Sequence, residues 1–82
     1  MKVYLSRKTA KTLKQTPSDF RRRLEAKISE LSQTPYPAGC RKLNGAANAY
    51  RVRVGDYRIL YTLIAKDEIL IFKIARRETA YL

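Results

Sequence analysis

The sequence has no histidine and no tryptophan, and only one cysteine, three glycines and three prolines among 82 residues. Each scarcity removes a class of chemistry. Without histidine there is no Ser-His-Asp or Cys-His catalytic centre, and Cys40 alone makes neither an intramolecular disulfide nor a common zinc site. No cofactor and no metal is expected. Acidic residues are also few, 7 against 18 Lys plus Arg, which leaves a net charge of +11. Long apolar runs are missing too: the longest reach about half a dozen residues, where a membrane span needs about 20. The basic stretch Met1 to Lys8 leads into no apolar segment of the kind a signal peptide carries, so a cytoplasmic location without membrane contact is expected. Whatever chemistry remains must run on Arg, Lys, Tyr, carboxylates or backbone.

What is present suffices for one core. Hydrophobic residues make up 45% of the chain, six tyrosines and two phenylalanines among them. That is too apolar for a disordered basic tail, and the length allows a single domain, 1–82. Val3-Tyr4-Leu5 reads as a first strand. Ser6 is placed to cap a helix from Arg7 to Gln15, which Thr16-Pro17 ends because the residue before proline is pushed out of the α region. Ser18 is placed to cap a second helix, whose Phe20, Leu24, Ile28 and Leu31 draw one apolar stripe. Pro35, Pro37 and Gly39 then make a loop.

From there the period drops to two. Tyr50, Val52 and Val54 alternate with Arg51 and Arg53, and Gly55-Asp56 turns the chain into Tyr57 to Ala65. Lys66-Asp67 turns it again into a strand reaching Ile74, and Arg41-Lys42-Leu43 adds a short strand before the Asn44-Gly45 turn. The expected fold is α+β: a strand, a two-helix hairpin, then an antiparallel meander of three to four strands with the helices on one face.

Register decides where the charges go. A two-residue Gly55-Asp56 turn sets Val54 opposite Tyr57, Arg53 opposite Arg58, Val52 opposite Ile59 and Arg51 opposite Leu60. Directly opposed side chains share a face. Tyr50, Val52, Val54, Tyr57, Ile59, Tyr61 and Leu63 then form the core face, with Tyr4 also read as packing, and Arg51, Arg53 and Arg58 share the reverse face. In the second hairpin Ala65 is expected opposite Glu68, Leu63 opposite Leu70, Tyr61 opposite Phe72, Leu60 opposite Lys73 and Arg58 opposite Ala75. The tail with Arg76, Arg77 and Tyr81 would start beside the arginines. Like charges so placed cost a sheet a few tenths to about 1 kcal/mol per pair. A polyanion that neutralises the patch accounts for them better than a solvated edge does. The lysines and arginines of the helices, Lys8, Lys11, Lys14 and Arg21 to Arg23, suit either solubility or phosphate contacts.

The segment Tyr50-Arg51-Val52-Arg53-Val54-Gly55-Asp56-Tyr57-Arg58-Ile59-Leu60-Tyr61, preceded by Lys42-Leu43 and followed by Ile74-Ala75-Arg76-Arg77-Glu78-Thr79-Ala80-Tyr81, resembles the RelE toxins of the RelE/ParE superfamily. The likeness spans nearly the whole chain. It implies a ribosome-dependent, metal-independent mRNA endonuclease, the toxin of a type II toxin–antitoxin pair, which cuts the codon in the ribosomal A site. It implies an acidic RelB-like antitoxin as partner, with operator DNA bound only through the toxin–antitoxin complex. The residues that match the family's catalytic set are Arg51, Arg53, Arg58, Arg77 and Tyr81. Arg41, Lys42, Lys73 and Arg76 are expected to bind RNA beside them.

In the implied reaction the ribose 2′-hydroxyl displaces the 5′-oxygen in line. Arg53, Arg58 and Arg77 suit the charge that develops on the phosphorane, since guanidinium forks fit phosphate oxygens. Arginine keeps its proton and serves poorly as acid or base. Well-studied members carry lysines where Arg51 and Arg53 stand, and many have histidine at Arg76. Tyr81 is therefore expected to take the 2′-hydroxyl proton, with Arg53 or a water it orients assisting the leaving oxygen. Two other readings stay open: a ParE-like poison of DNA gyrase, and a non-catalytic protein that only binds RNA or its antitoxin.

Overall fold

A computed structural model describes residues 1–45 and 47–76. Arg77 and Tyr81 of the expected catalytic set lie outside the described residues. The elements run β1 (Lys2–Leu5), α1 (Arg7–Gln15), α2 (Ser18–Gln33), β2 (Arg41–Lys42), β3 (Ala49–Val54), β4 (Tyr57–Ala65) and β5 (Glu68–Arg76). They build one five-stranded sheet in the order β1-β5-β4-β3-β2. This is the expected α+β order of strand, two helices and meander. No helix among the described residues is long and apolar enough to cross a membrane.

The helices begin differently. Ser6 caps α1, its Oγ accepting from Thr9 N at 3.2 Å and donating to Thr9 Oγ1 at 2.7 Å. Ser18, in contrast, is the first residue of α2 rather than its cap. Pro17 holds the cap position at φ −54° with no side-chain hydrogen bond, because its ring carries no acceptor. Along α2, Leu24 and Leu31 are wholly buried, and Phe20 and Ile28 pack beside them.

Those side chains meet Val52, Tyr57, Ile59, Tyr61, Ile69, Ile71 and Ile74 in one cluster, with Tyr50, Val54 and Leu63 against it. Every residue expected on the core face of β3 and β4 is there. Each fully buried aliphatic side chain contributes about 1.5–3 kcal/mol relative to exposure. Tyr4 corrects the expectation for β1: it pairs with Leu70 on the other face and stays 44% exposed. Its neighbours Val3 and Leu5 point inward instead.

The first hairpin has the expected register throughout. Gly55 takes φ +59° and Asp56 does not, the pattern of a two-residue turn with glycine at its first central position. The second hairpin departs from a straight ladder. Tyr61 faces Ile71, not Phe72, and Leu63 faces Ile69, not Leu70, because the register slips between Leu60 and Tyr61 and again between Leu63 and Ala65. Strict alternation would send Ile69, Ile71 and Lys73 to one face and Leu70, Phe72 and Ile74 to the other. The extra residue, Phe72, lets Ile69, Ile71 and Ile74 all turn inward while Lys73 stays out.

The parallel partner of β5 was not legible in advance. β1 pairs with Glu68–Ile71 of β5, and Ser6 N donates to Ile71 O at 3.0 Å where that pairing ends. Beyond this point α1 lies along the strand, closing a notch with Phe72, Lys73 and Ile74.

Candidate nucleic-acid interface

Four arginines meet on the face of the sheet turned away from the core. Arg41 on β2 is directly opposite Arg51 on β3, and Arg53 on β3 is directly opposite Arg58 on β4. Together with Gly39 they line an open depression of about 370 Å³. Arg51 and Arg58 are half-buried, whereas Arg41 and Arg53 reach solvent. Leu60, also on this face, is buried between its register partners Arg51 and Lys73, whose long stems can cover it while their charges stay wet.

This arrangement follows from local sequence. Alternation puts residues 51 and 53 on one face, and the two-residue turn brings 58 opposite 53. The Asn44-Gly45 turn, with Gly45 at φ +74° and Asn48 at φ +60°, sends β2 back so that Arg41 meets Arg51. Two positive charges about 4 Å apart repel by about 1 kcal/mol even in water. Planar, permanently charged forks held side by side are suited to the oxygens of a phosphodiester backbone.

The remaining expected RNA contacts are distributed differently. Lys73 shares the arginine face through its pairing with Leu60, yet lines the notch formed with Lys8, Thr9 and Thr12 of α1. Lys42 pairs with Tyr50 and so stands on the core side of the edge strand, beside Leu43, Asn44, Gly45 and Ala47. Arg76 corrects the expected start of the tail. It pairs with Tyr57, and its guanidinium sits 5.7 Å from the centre of that ring, on the face opposite the arginines. Alternation from Ala75, which faces Arg58, requires this.

Two contributors were not anticipated from sequence. Gly39 lines the depression because the loop after α2 runs directly into β2. Lys8 joins Lys73 because α1 replaces β1 along β5. A third feature is a row of phenols, Tyr36, Tyr50 and Tyr61, on the core side of the same edge. Burial first, then Cys40, raises the Tyr61 phenol well above its ordinary value near 10. Hydrogen bonding with Tyr50, ahead of burial, raises Tyr36. Both are therefore neutral at physiological pH and are poorly suited to take a proton.

The profile of the family described as "ParE toxin of type II toxin-antitoxin system, parDE" matches residues 3–81. Toxin RelE3 of Methanocaldococcus jannaschii is 32% identical, over 99% of this chain and 96% of that protein. The toxin in the RelE–RelB complex from Pyrococcus horikoshii OT3 is 32% identical with a TM-score of 0.81, covering 96% of this chain and 97% of that one. Isolated E. coli RelE superimposes with a TM-score of 0.83 over 96% of this chain and 86% of its own, at 21% identity, which speaks to the fold alone. A type II toxin of the strand, helix-pair and meander architecture is the class that fold, charge and these matches define. The chain belongs to the RelE/ParE superfamily, as a RelE toxin.

Proposed function

We propose that the chain is a ribosome-dependent endoribonuclease that cuts mRNA in the A site by attack of the 2′-hydroxyl on the adjacent phosphate. The observation that carries this reading is the pair of directly opposed arginine couples, 41 with 51 and 53 with 58, around one depression. Guanidinium groups set side by side around one depression fit the several oxygens of a phosphodiester backbone. In the proposed reaction Arg53 and Arg58 hold the phosphate oxygens and stabilise the charge that grows on them, while Arg51 and Arg41 seat the flanking backbone. Arg77 and Tyr81, outside the described residues, are assigned to the same set from the resemblance, Tyr81 as the base for the 2′-hydroxyl proton.

The ribosome's role is to order the substrate. Proximity and orientation are worth several kcal/mol in such reactions, so naked RNA is expected to be cut poorly. The proposed partner is a RelB-like antitoxin, as in the RelE–RelB complexes of the relatives, with a segment rich in Asp and Glu to match the +11 charge. Electrostatic steering makes that association fast and salt-sensitive. Operator DNA is reached only through the complex.

The test is primer extension on cellular mRNA after induced expression, with a gyrase supercoiling assay run beside it. New 5′ ends within codons, lost in Arg58→Ala, support the reading. Inhibited supercoiling without new 5′ ends would replace it with the gyrase-poison reading that the ParE family name suggests.

A further inference from the structure

The loop from α2 to β2 holds an aromatic ladder that the arginine site does not use. Tyr61 is wholly buried, and its hydroxyl donates to Pro35 O at 2.6 Å. Tyr50 stacks on Tyr61 with ring centres 5.8 Å apart and planes 26° apart. Tyr36 meets Tyr50 at 5.2 Å and 71°, yet remains 53% exposed. An outward ring is thus anchored through two others to the core, between Pro35 and the buried Pro37. Three residues beyond it, Gly39 already lines the arginine depression.

A cationic side chain lies on the same side of the edge strand. Lys42 stands opposite Tyr50 on this side of β2, near enough for its charge to act on the Tyr36 phenol. Leu43, Asn44, Gly45 and Ala47 continue the surface. Edge strand β2 is only two residues long, with Arg41 on one side and Lys42 on the other. A flexible polyanion can therefore pass over it from the depression to the ring.

We propose that Tyr36 is a stacking platform for a nucleobase of single-stranded RNA, on the flanking backbone that Arg41 and Arg51 seat at the sheet edge, with Lys42 neutralising that backbone as it crosses β2. An exposed, anchored aromatic face continuous over β2 with the arginine depression suits a single strand whose bases stack while its phosphates bind the arginines. The proposal rests on the endonuclease reading for the class of polymer, and it makes Tyr36 a positioning residue for the codon. Removing a stacked aromatic typically weakens binding about tenfold per base.

The experiment titrates the full chain into ten-nucleotide RNAs that carry 2-aminopurine at one position each, reading fluorescence quenching and anisotropy. Wild type should quench strongly at one position. Tyr36→Phe should keep both quenching and affinity within about twofold, and Tyr36→Ala should lose the quench and bind about tenfold more weakly while melting as the wild type does. Wild-type affinity and quenching in Tyr36→Ala would overturn the proposal, as would a loss confined to neutralisation by the antitoxin, which would make the ring a protein contact. Primer extension separates the two readings. A-site cleavage that persists with unchanged quenching in Tyr36→Ala ends the platform alone. Quenching that depends on Tyr36 in a protein that cuts nothing ends the endonuclease and leaves the platform standing.

Discussion

The two faces of strands β3 and β4 come from alternate residues of the same short stretch and obey opposite rules. On one, Val52 sits opposite Ile59 and Tyr50 opposite Tyr61, beneath Leu24 and Leu31 of α2. On the other, Arg53 sits opposite Arg58, and Arg51 is opposed by Arg41 from β2. The first face gathers groups that gain by leaving water. The second gathers groups that repel, at a cost of up to about 1 kcal/mol per pair. The contrast teaches that stability and function are separated here by the thickness of one sheet, so each can be perturbed with little change in the other.

The largest expected effect is on the covered face. Leu31→Ala should lose about 2–5 kcal/mol, as a buried leucine truncated inside a packed cluster does. Urea unfolding measures this, and a loss under 1 kcal/mol would show that the cluster is not the core.

Next comes Arg58→Ala, for which a fall of about 10²–10³ in cleavage of ribosome-bound mRNA is expected with the unfolding midpoint essentially kept. A fall in both together would merge the two faces and break the comparison.

Gly55 joins them at the hairpin tip. Its φ is +59°, and a Cβ there would lie 3.0 Å from the Arg23 guanidinium. Gly55→Ala should cost about 1–2 kcal/mol from the left-handed backbone alone, and it should slow cleavage by disturbing the turn that aligns Arg53 with Arg58. Thermal melting and the cleavage assay read the two effects, and a neutral variant would mean that the turn tolerates a side chain.

The smallest effect is a gain. Arg53→Thr removes one opposed pair and should stabilise the sheet by about 0.2–1 kcal/mol while cutting mRNA poorly. A destabilised variant would show that the arginines hold each other through shared partners.

The alkaline limb sharpens the same contrast. Burial raises the Tyr61 phenol above its unfolded value near 10, so the folded state keeps this proton longer than the unfolded chain does. Its contribution is complete below pH 10 and is lost as pH rises further. Tyr61→Phe should flatten stability against pH above 10, measured by urea titration, and leave the neutral range unchanged in slope.

Much of this was legible in the residues. The four-residue and three-residue spacings of Phe20, Leu24, Ile28 and Leu31 specify the buried stripe of α2. The Gly55-Asp56 turn specifies every pair of the first hairpin, the Arg53–Arg58 pair included. Alternation from Ala75 sends Arg76 across the sheet, against the expectation that it starts the tail beside the arginines. Serine favours the cap position, yet Ser18 is the first residue of α2, because Pro17 before it takes the cap with its fixed φ and leaves the first-turn N–H groups without a side-chain acceptor. Tyr36 is not legible in the sequence, because a lone aromatic between two prolines belongs to no periodic pattern.

By itself the sequence determined the element order, the absence of histidine from the catalytic options, and the face on which Arg51, Arg53 and Arg58 lie. These depend on short-range rules: helical period, strand alternation and the length of one turn. Only the tertiary structure decided that β1 joins β5 in parallel, that Phe72 bulges outward, that Arg41 and Gly39 close the depression and that Lys42 stands on the far side of the edge. Those outcomes were settled by competition between segments distant in the chain for one apolar interior, where keeping Lys73 out and three isoleucines in outweighed an unbroken ladder.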